Sequence, residues 1–194
     1  MLLLDSTLVG EAHALPLPPV AGASVLILGV GNILMGDEGV GVHAIRRLEA
    51  EPEIPGVRLL DGGTGGVNLL AEFDHVAGII LIDATRDGRR DGTISYLHPE
   101  RVGDLPRGLG AHDFGLKDLF AASALIGRLP ELHLYTVAVS TIRPMCTELS
   151  DAVAAAVPPI AWVTYGHAVR LARRISNTAN PARRLPTDAE PMGR

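Results

Sequence analysis

The chain holds a single cysteine, Cys146, among 194 residues. One thiol cannot build an internal disulfide framework, and this usage fits a reducing compartment. An excess of basic residues is also missing. Lys and Arg number 17 against 22 Asp and Glu, for a formal net charge of −5, which argues against a nucleic-acid partner. No apolar run reaches the roughly 18 residues of a membrane span. The run Leu2 to Leu4 is too short for the apolar core of a signal peptide, and no basic segment precedes it. A cytoplasmic protein without membrane insertion is the expectation.

A further absence lies in the stretch that organises the chain, Val25-Leu-Ile-Leu-Gly-Val-Gly-Asn-Ile-Leu-Met-Gly-Asp-Glu-Gly-Val-Gly41. Val25 to Leu28 read as a short strand buried on both faces. Gly29, Gly31 and Asn32 turn the chain, and Val40, Ala44, Ile45 and Leu48 then fall at helical spacing. A glycine-rich turn from strand to helix suggests a dinucleotide site, but the fingerprint needs a glycine at position 34, where Leu34 stands. Asp37 and Glu38 at the helix mouth would repel a pyrophosphate. Asp61 imitates a ribose-binding acid, yet it lies farther on than the usual ~20 residues. The loop suits a cation better than an anion.

What is present is a globular composition, 47 % hydrophobic and 20 % charged, with 22 glycines. It predicts one α/β domain over residues 23–172, a flexible N-terminal extension over 1–22 and a disordered tail over 173–194. Val57 to Leu60 form a second strand ending at Asp61. Thr64 can cap a short helix carrying Val67, Leu69, Leu70 and Phe73. Gly78 to Asp83 is the most apolar strand and is expected at the centre of the sheet. Thr93 to Leu97 alternates, as an antiparallel edge strand does. After a loop over 99–111, His112 precedes a helix with Leu116, Leu119, Phe120 and Leu125. Leu132 to Val139 is the fifth strand. Ser150 can cap the next helix, which Pro158 and Pro159 must kink or break, and its apolar face runs to about Leu171.

The candidate chemistry follows from strand ends. Glu38, Asp83 and His112 each adjoin a strand end or loop, and in open α/β sheets ligands bind beyond the carboxyl ends of the strands. Two carboxylates and an imidazole suit a borderline divalent ion such as nickel, zinc or iron. Other roles for each stay open on spacing alone. Asp37 can cap the first helix, Glu38 can favour its dipole, Asp83 can form a turn, and His112 can be a surface loop residue. Other histidines (His43, His75, His98, His133, His167) carry no motif and are expected in packing or surface roles. Cys146 has no evident base partner.

The stretch Gly29 to Gly41 resembles the opening signature of the hydrogenase maturation proteases. The resemblance continues at Asp61-Gly-Gly-Thr-Gly-Gly66, Ile82-Asp83-Ala84 and His112-Asp-Phe-Gly-Leu-Lys-Asp-Leu119. Leu149-Ser150 and the helix to Pro158 resemble the family's last helix, whereas Ser140-Thr-Ile-Arg-Pro144 matches its usual loop only loosely. The resemblance implies a three-layer αβα sandwich around a twisted, mostly parallel five-stranded sheet with an antiparallel edge strand. It also implies an endopeptidase that trims the C-terminus of the precursor of a nickel-iron hydrogenase large subunit. Glu38, Asp83 and His112 would grip nickel already inserted in that precursor, with Asp37 and Asp61 as second-rank catalytic candidates. The nickel would belong to the substrate, so the chain is expected to purify largely metal-free. A non-catalytic nickel-binding chaperone and a nucleotide-binding oxidoreductase are the alternatives.

Overall fold

The computed structural model describes residues 24–106, 113–127 and 129–179. The expected N-terminal extension, His112 and the end of the tail lie outside the described residues. In chain order the elements are β1 (Ser24–Val30), a 3-10 turn (Gly36–Gly39), α1 (Val40–Leu48), β2 (Val57–Gly63) and a 3-10 segment (Gly66–Phe73). There follow β3 (Val76–Thr85), β4 (Ile94–Leu97), a second short 3-10 turn (Val102–Asp104) and α2 (Asp113–Leu125). Last come β5 (Glu131–Ala138), α3 (Asp151–Ala154) and α4 (Val157–Ala179).

The sheet order is β2-β1-β3-β5-β4. β1, β2, β3 and β5 run parallel, and β4 pairs antiparallel with β5 at the edge. Side chains alternate between two faces, and both faces are covered. Val25, Ile27, Ile80, Ile82 and Val137 pack in one cluster with α1 and α4 residues such as Ile45, Ile160 and Leu171. Leu26, Leu28, Ile79, Leu81 and Leu134 pack on the other side with Phe73, Leu119 and Phe120. This is the αβα sandwich, with β3 at its centre as its apolar composition predicts. Each fully buried Leu or Ile contributes roughly 1.5–3 kcal/mol, so covering both faces of three central strands supplies most of the drive to fold.

Several local readings change. Thr64 caps nothing: Gly65 takes the cap position of the 3-10 segment, without a side-chain bond, and Gly66 follows with a positive φ of 51°. Pro158 and Pro159 do break the last helix, by sitting in the first turn of α4, where their missing N–H groups leave no bond unmade. α4 runs to Ala179, well past Leu171. Arg174 holds Glu131 at 2.6 Å, and Ile175 packs near Gly78. Leu125 is solvent-exposed, since α2 ends there in a turn at Gly127 with φ 70°. Asp151–Thr178 is long and apolar enough to cross a membrane by length and composition, but its apolar stripe packs on the sheet through Val153, Ile160, Ala168 and Leu171.

Candidate active site at the carboxyl ends of β1 and β3

The glycines of the first loop let main chain press on main chain. A Cβ on Gly41 would lie 2.3 Å from the Val30 carbonyl oxygen and 2.4 Å from that of Ile82. A Cβ on Gly29 would lie 2.1 Å from the Gly41 oxygen. Gly31 has φ 136°, and its Cβ would fall 1.9 Å from the Glu38 oxygen. No other residue fits these approaches. The start of α1 therefore rests directly on the ends of β1 and β3, and the turn carrying Glu38 contacts β3.

This seating buries the acids. Glu38 and Asp83 are each 1 % exposed and Asp37 is 2 % exposed. Asp83 follows Ile82 at the end of β3 and accepts a hydrogen bond on Oδ1 from the Ala84 N–H at 2.8 Å. Strand alternation puts Asp83 on the face of Ile79 and Leu81, the face that α2 covers. The first turn of α2 abuts the loop after β2, where a Cβ on Gly115 would meet the Gly66 Cα at 3.2 Å. His112 immediately precedes α2 in the chain and lies outside the described residues.

Asp37 and Asp61 have different surroundings. Asp37 Oδ1 accepts a hydrogen bond from the Ser150 N–H at 2.6 Å, with the Arg143 guanidinium 4.0 Å away. Asp61 Oδ1 accepts from the Gly63 N–H at 3.0 Å, closing its own turn, and Oδ2 lies 3.8 Å from Arg46. The loop between β5 and α3 joins this site through main-chain bonds. Gly36 N–H donates to the Cys146 oxygen at 2.7 Å, and Cys146 N–H to the Leu34 oxygen at 3.2 Å. Arg143 spans the loop and donates to the Glu148 carbonyl at 2.6 Å. Leu34 and Met145 stand exposed on this rim, at 50 % and 89 %. Behind it, burial and the Arg46 charge hold His43 below its ordinary pKa, against a raising contribution from the Thr147 main chain.

A family model described as hydrogenase maturation protease matches residues 42–165, more than half of the chain. The chain belongs to the hydrogenase maturation protease family. The hydrogenase expression/formation protein HupM of Azotobacter chroococcum is 35 % identical over 143 residues, covering 70 % of this chain and 67 % of that one. The hydrogenase maturating endopeptidase HybD of Escherichia coli superposes with a TM-score of 0.68 at 34 % identity, over 76 % of this chain and 92 % of its own. The [NiFe] hydrogenase maturation protease HybD of Thermococcus kodakarensis gives 0.64 at 30 % identity, over 75 % and 99 %.

As a hydrogenase maturation protease the chain is an endopeptidase on an α/β scaffold, and the nucleotide-binding alternative falls away. The matched span includes Asp83 and His112, and Glu38 lies four residues ahead of its first residue. Sequence reasoning missed the tie between Asp37 and Ser150, and the place of Arg143 at the rim. Neither partner of Asp37 carries a local signal, because the contacts form only when the loop after β5 folds back over the first loop. It also placed His133 at the surface. His133 is 5 % exposed, since β5 puts it on the same face as Tyr135 and Val137, beneath α4.

Proposed function

We propose that this hydrogenase maturation protease removes the C-terminal extension of a nickel-iron hydrogenase large-subunit precursor, after recognising nickel already inserted in it. The observation that carries this reading is the burial of Glu38 and Asp83 together at the mouth above β1 and β3. Burying an ionised carboxylate is costly, and a divalent cation presented by the substrate would offset that cost at Glu38 and Asp83. Their oxygens, joined by one imidazole from His112, are a donor set for a borderline ion such as nickel. The metal is part of the substrate.

In this reading Glu38, Asp83 and His112 bind the precursor's metal centre and thereby orient the peptide beyond it. Orientation of this kind supplies rate by making cleavage effectively unimolecular. The metal can in addition polarise a carbonyl as a Lewis acid. Asp37 and Asp61, second-rank candidates for catalysis, act instead as positioning groups: Asp37 holds the rim loop and Asp61 holds the turn after β2. The exposed Leu34 and Met145 offer the precursor an apolar rim. The reaction is set in the cytoplasm, where the precursor would be processed, and the chain needs no resident metal for it.

The test is the intact mass of a cognate precursor incubated with the chain, nickel-loaded and nickel-free in parallel. Loss of one defined C-terminal peptide from the loaded form alone is the expected result. Cutting of both forms would remove the metal checkpoint and leave the peptidase. A stable complex with no cutting of either would favour a non-catalytic holding role.

A further inference from the structure

At the opposite end of the sheet, three side chains that play no part in the site above converge. β4 and β5 pair with Tyr96 opposite Tyr135 and Leu97 opposite Leu134. One further step in that register puts His98 opposite His133. Their rings stack 4.6 Å apart at 17°, which aims both Nε2 atoms at one carboxylate. His133 Nε2 lies 3.0 Å and His98 Nε2 3.7 Å from Glu131 Oε1, and the three donor atoms sit within 4.8 Å of one another.

We propose that His98, Glu131 and His133 form a second metal site, for a borderline divalent cation of the zinc and nickel class. It is independent of the peptidase assignment. Zinc binds His and carboxylate ligands at about 2.0–2.1 Å, so the edges of a tetrahedral site run roughly 3.3 Å. The two nitrogen-to-oxygen distances straddle that length, and small side-chain rotations close the set.

The surroundings support a ligand rather than a packed histidine. His133 Nε2 is buried and makes no hydrogen bond of acceptable geometry, although Glu131 lies beside it. Its other nitrogen, Nδ1, is 2.9 Å from the Tyr96 hydroxyl. With Nδ1–H donating to that oxygen, Nε2 keeps its lone pair for a metal, which is the outer-shell arrangement metal-bound histidines use. Arg174 steadies Glu131 from α4, with one guanidinium nitrogen 2.6 Å from each carboxylate oxygen. A carboxylate has lone pairs enough to accept from Arg174 and ligate a cation. An entry path exists, because His98 and Glu131 line a surface cleft together with Pro99, Arg101 and Phe120. Three protein ligands leave a fourth position open to water.

The test titrates Zn²⁺, and Co²⁺ as its coloured substitute, into the full chain carrying Glu38→Gln and Asp83→Asn, which removes the two carboxylates proposed to grip the substrate's metal at the other end of the sheet. One equivalent should bind, with the visible absorption of tetrahedral cobalt. His98→Ala, at an exposed position, should weaken zinc by at least about tenfold and abolish the absorption. In the chain with Glu38 and Asp83 intact, His98→Ala should likewise remove one equivalent, and the imidazole NMR signals of His98 and His133 should shift together as zinc is added. The proposal is overturned by absent binding in the doubly substituted but folded chain, or by binding that is indifferent to His98→Ala. If that chain does not fold, the intact chain decides: an unchanged stoichiometry after His98→Ala overturns the site.

Discussion

Asp37 Oδ1 accepts a hydrogen bond from the Ser150 N–H at 2.6 Å, across 113 residues of chain. A buried carboxylate here does what a helix cap or a disulfide does elsewhere. It fixes the start of α3 to the loop that carries Glu38. Removing a group that leaves a buried partner unmet costs about 1–3 kcal/mol. Asp37→Ala should lower the urea midpoint accordingly, and Asp37→Asn, which keeps an acceptor oxygen, should lower it less. An unchanged midpoint with lost processing would move Asp37 into the catalytic group.

Glu38→Gln and Asp83→Asn should act differently. Each keeps the shape of its side chain, so folding should survive with a melting temperature close to that of the unsubstituted chain. Processing of the nickel-loaded precursor should fall at least about a hundredfold, at or beyond the upper end of what merely supporting groups cost a metal site. Unfolding of either variant at ordinary temperature would show that the acids serve the fold.

Gly41→Ala tests the seating of the first loop. The added Cβ would meet two main-chain oxygens at 2.3 and 2.4 Å, and neither can rotate away. A loss of about 3 kcal/mol or more in stability is expected, together with loss of processing as the start of α1 is pushed off β1 and β3. Gly103→Ala, where a Cβ meets nothing within 4 Å, is the control and should change neither by much in denaturant titration.

A pH dependence follows from His43. Its folded pKa lies below the ordinary histidine value of 6.5, chiefly through burial. Below pH 6.5 the unfolded chain therefore binds more protons than the folded one, and stability rises with pH through that window. The contribution is fully present above 6.5 and is lost as pH falls through the folded pKa. Replacing His43 by Gln should flatten this part of the stability profile, measured by melting temperature in metal-free buffer. A profile unchanged by the substitution would assign the dependence to other groups.

The sandwich was legible because its signals are local. Val25 to Leu28 and Gly78 to Asp83 are apolar without alternation, as strands covered on both faces must be. Thr93 to Leu97 alternates because an edge strand is half covered. The glycines of the first loop were legible as a turn, but the contacts that require them, Gly41 on Val30 and Ile82, belong to three elements at once. The burial of His133 was hidden for the opposite reason. In a strand covered on both sides, alternation no longer tells which polar residue points into packing, and His133 reads like any other polar interruption.

By itself, then, the order of residues determined the elements, the central place of β3, the edge strand and the acids at the strand ends. Each depends on residues adjacent in the chain, through backbone geometry and the side-chain period. Only the tertiary structure decided that Asp37 belongs to Ser150, that α4 continues to Ala179 to reach Glu131, and that His98 and His133 stack on one carboxylate. Those pairings join residues far apart in the chain, and their strength comes from burial and from the exclusion of water, which no local pattern records.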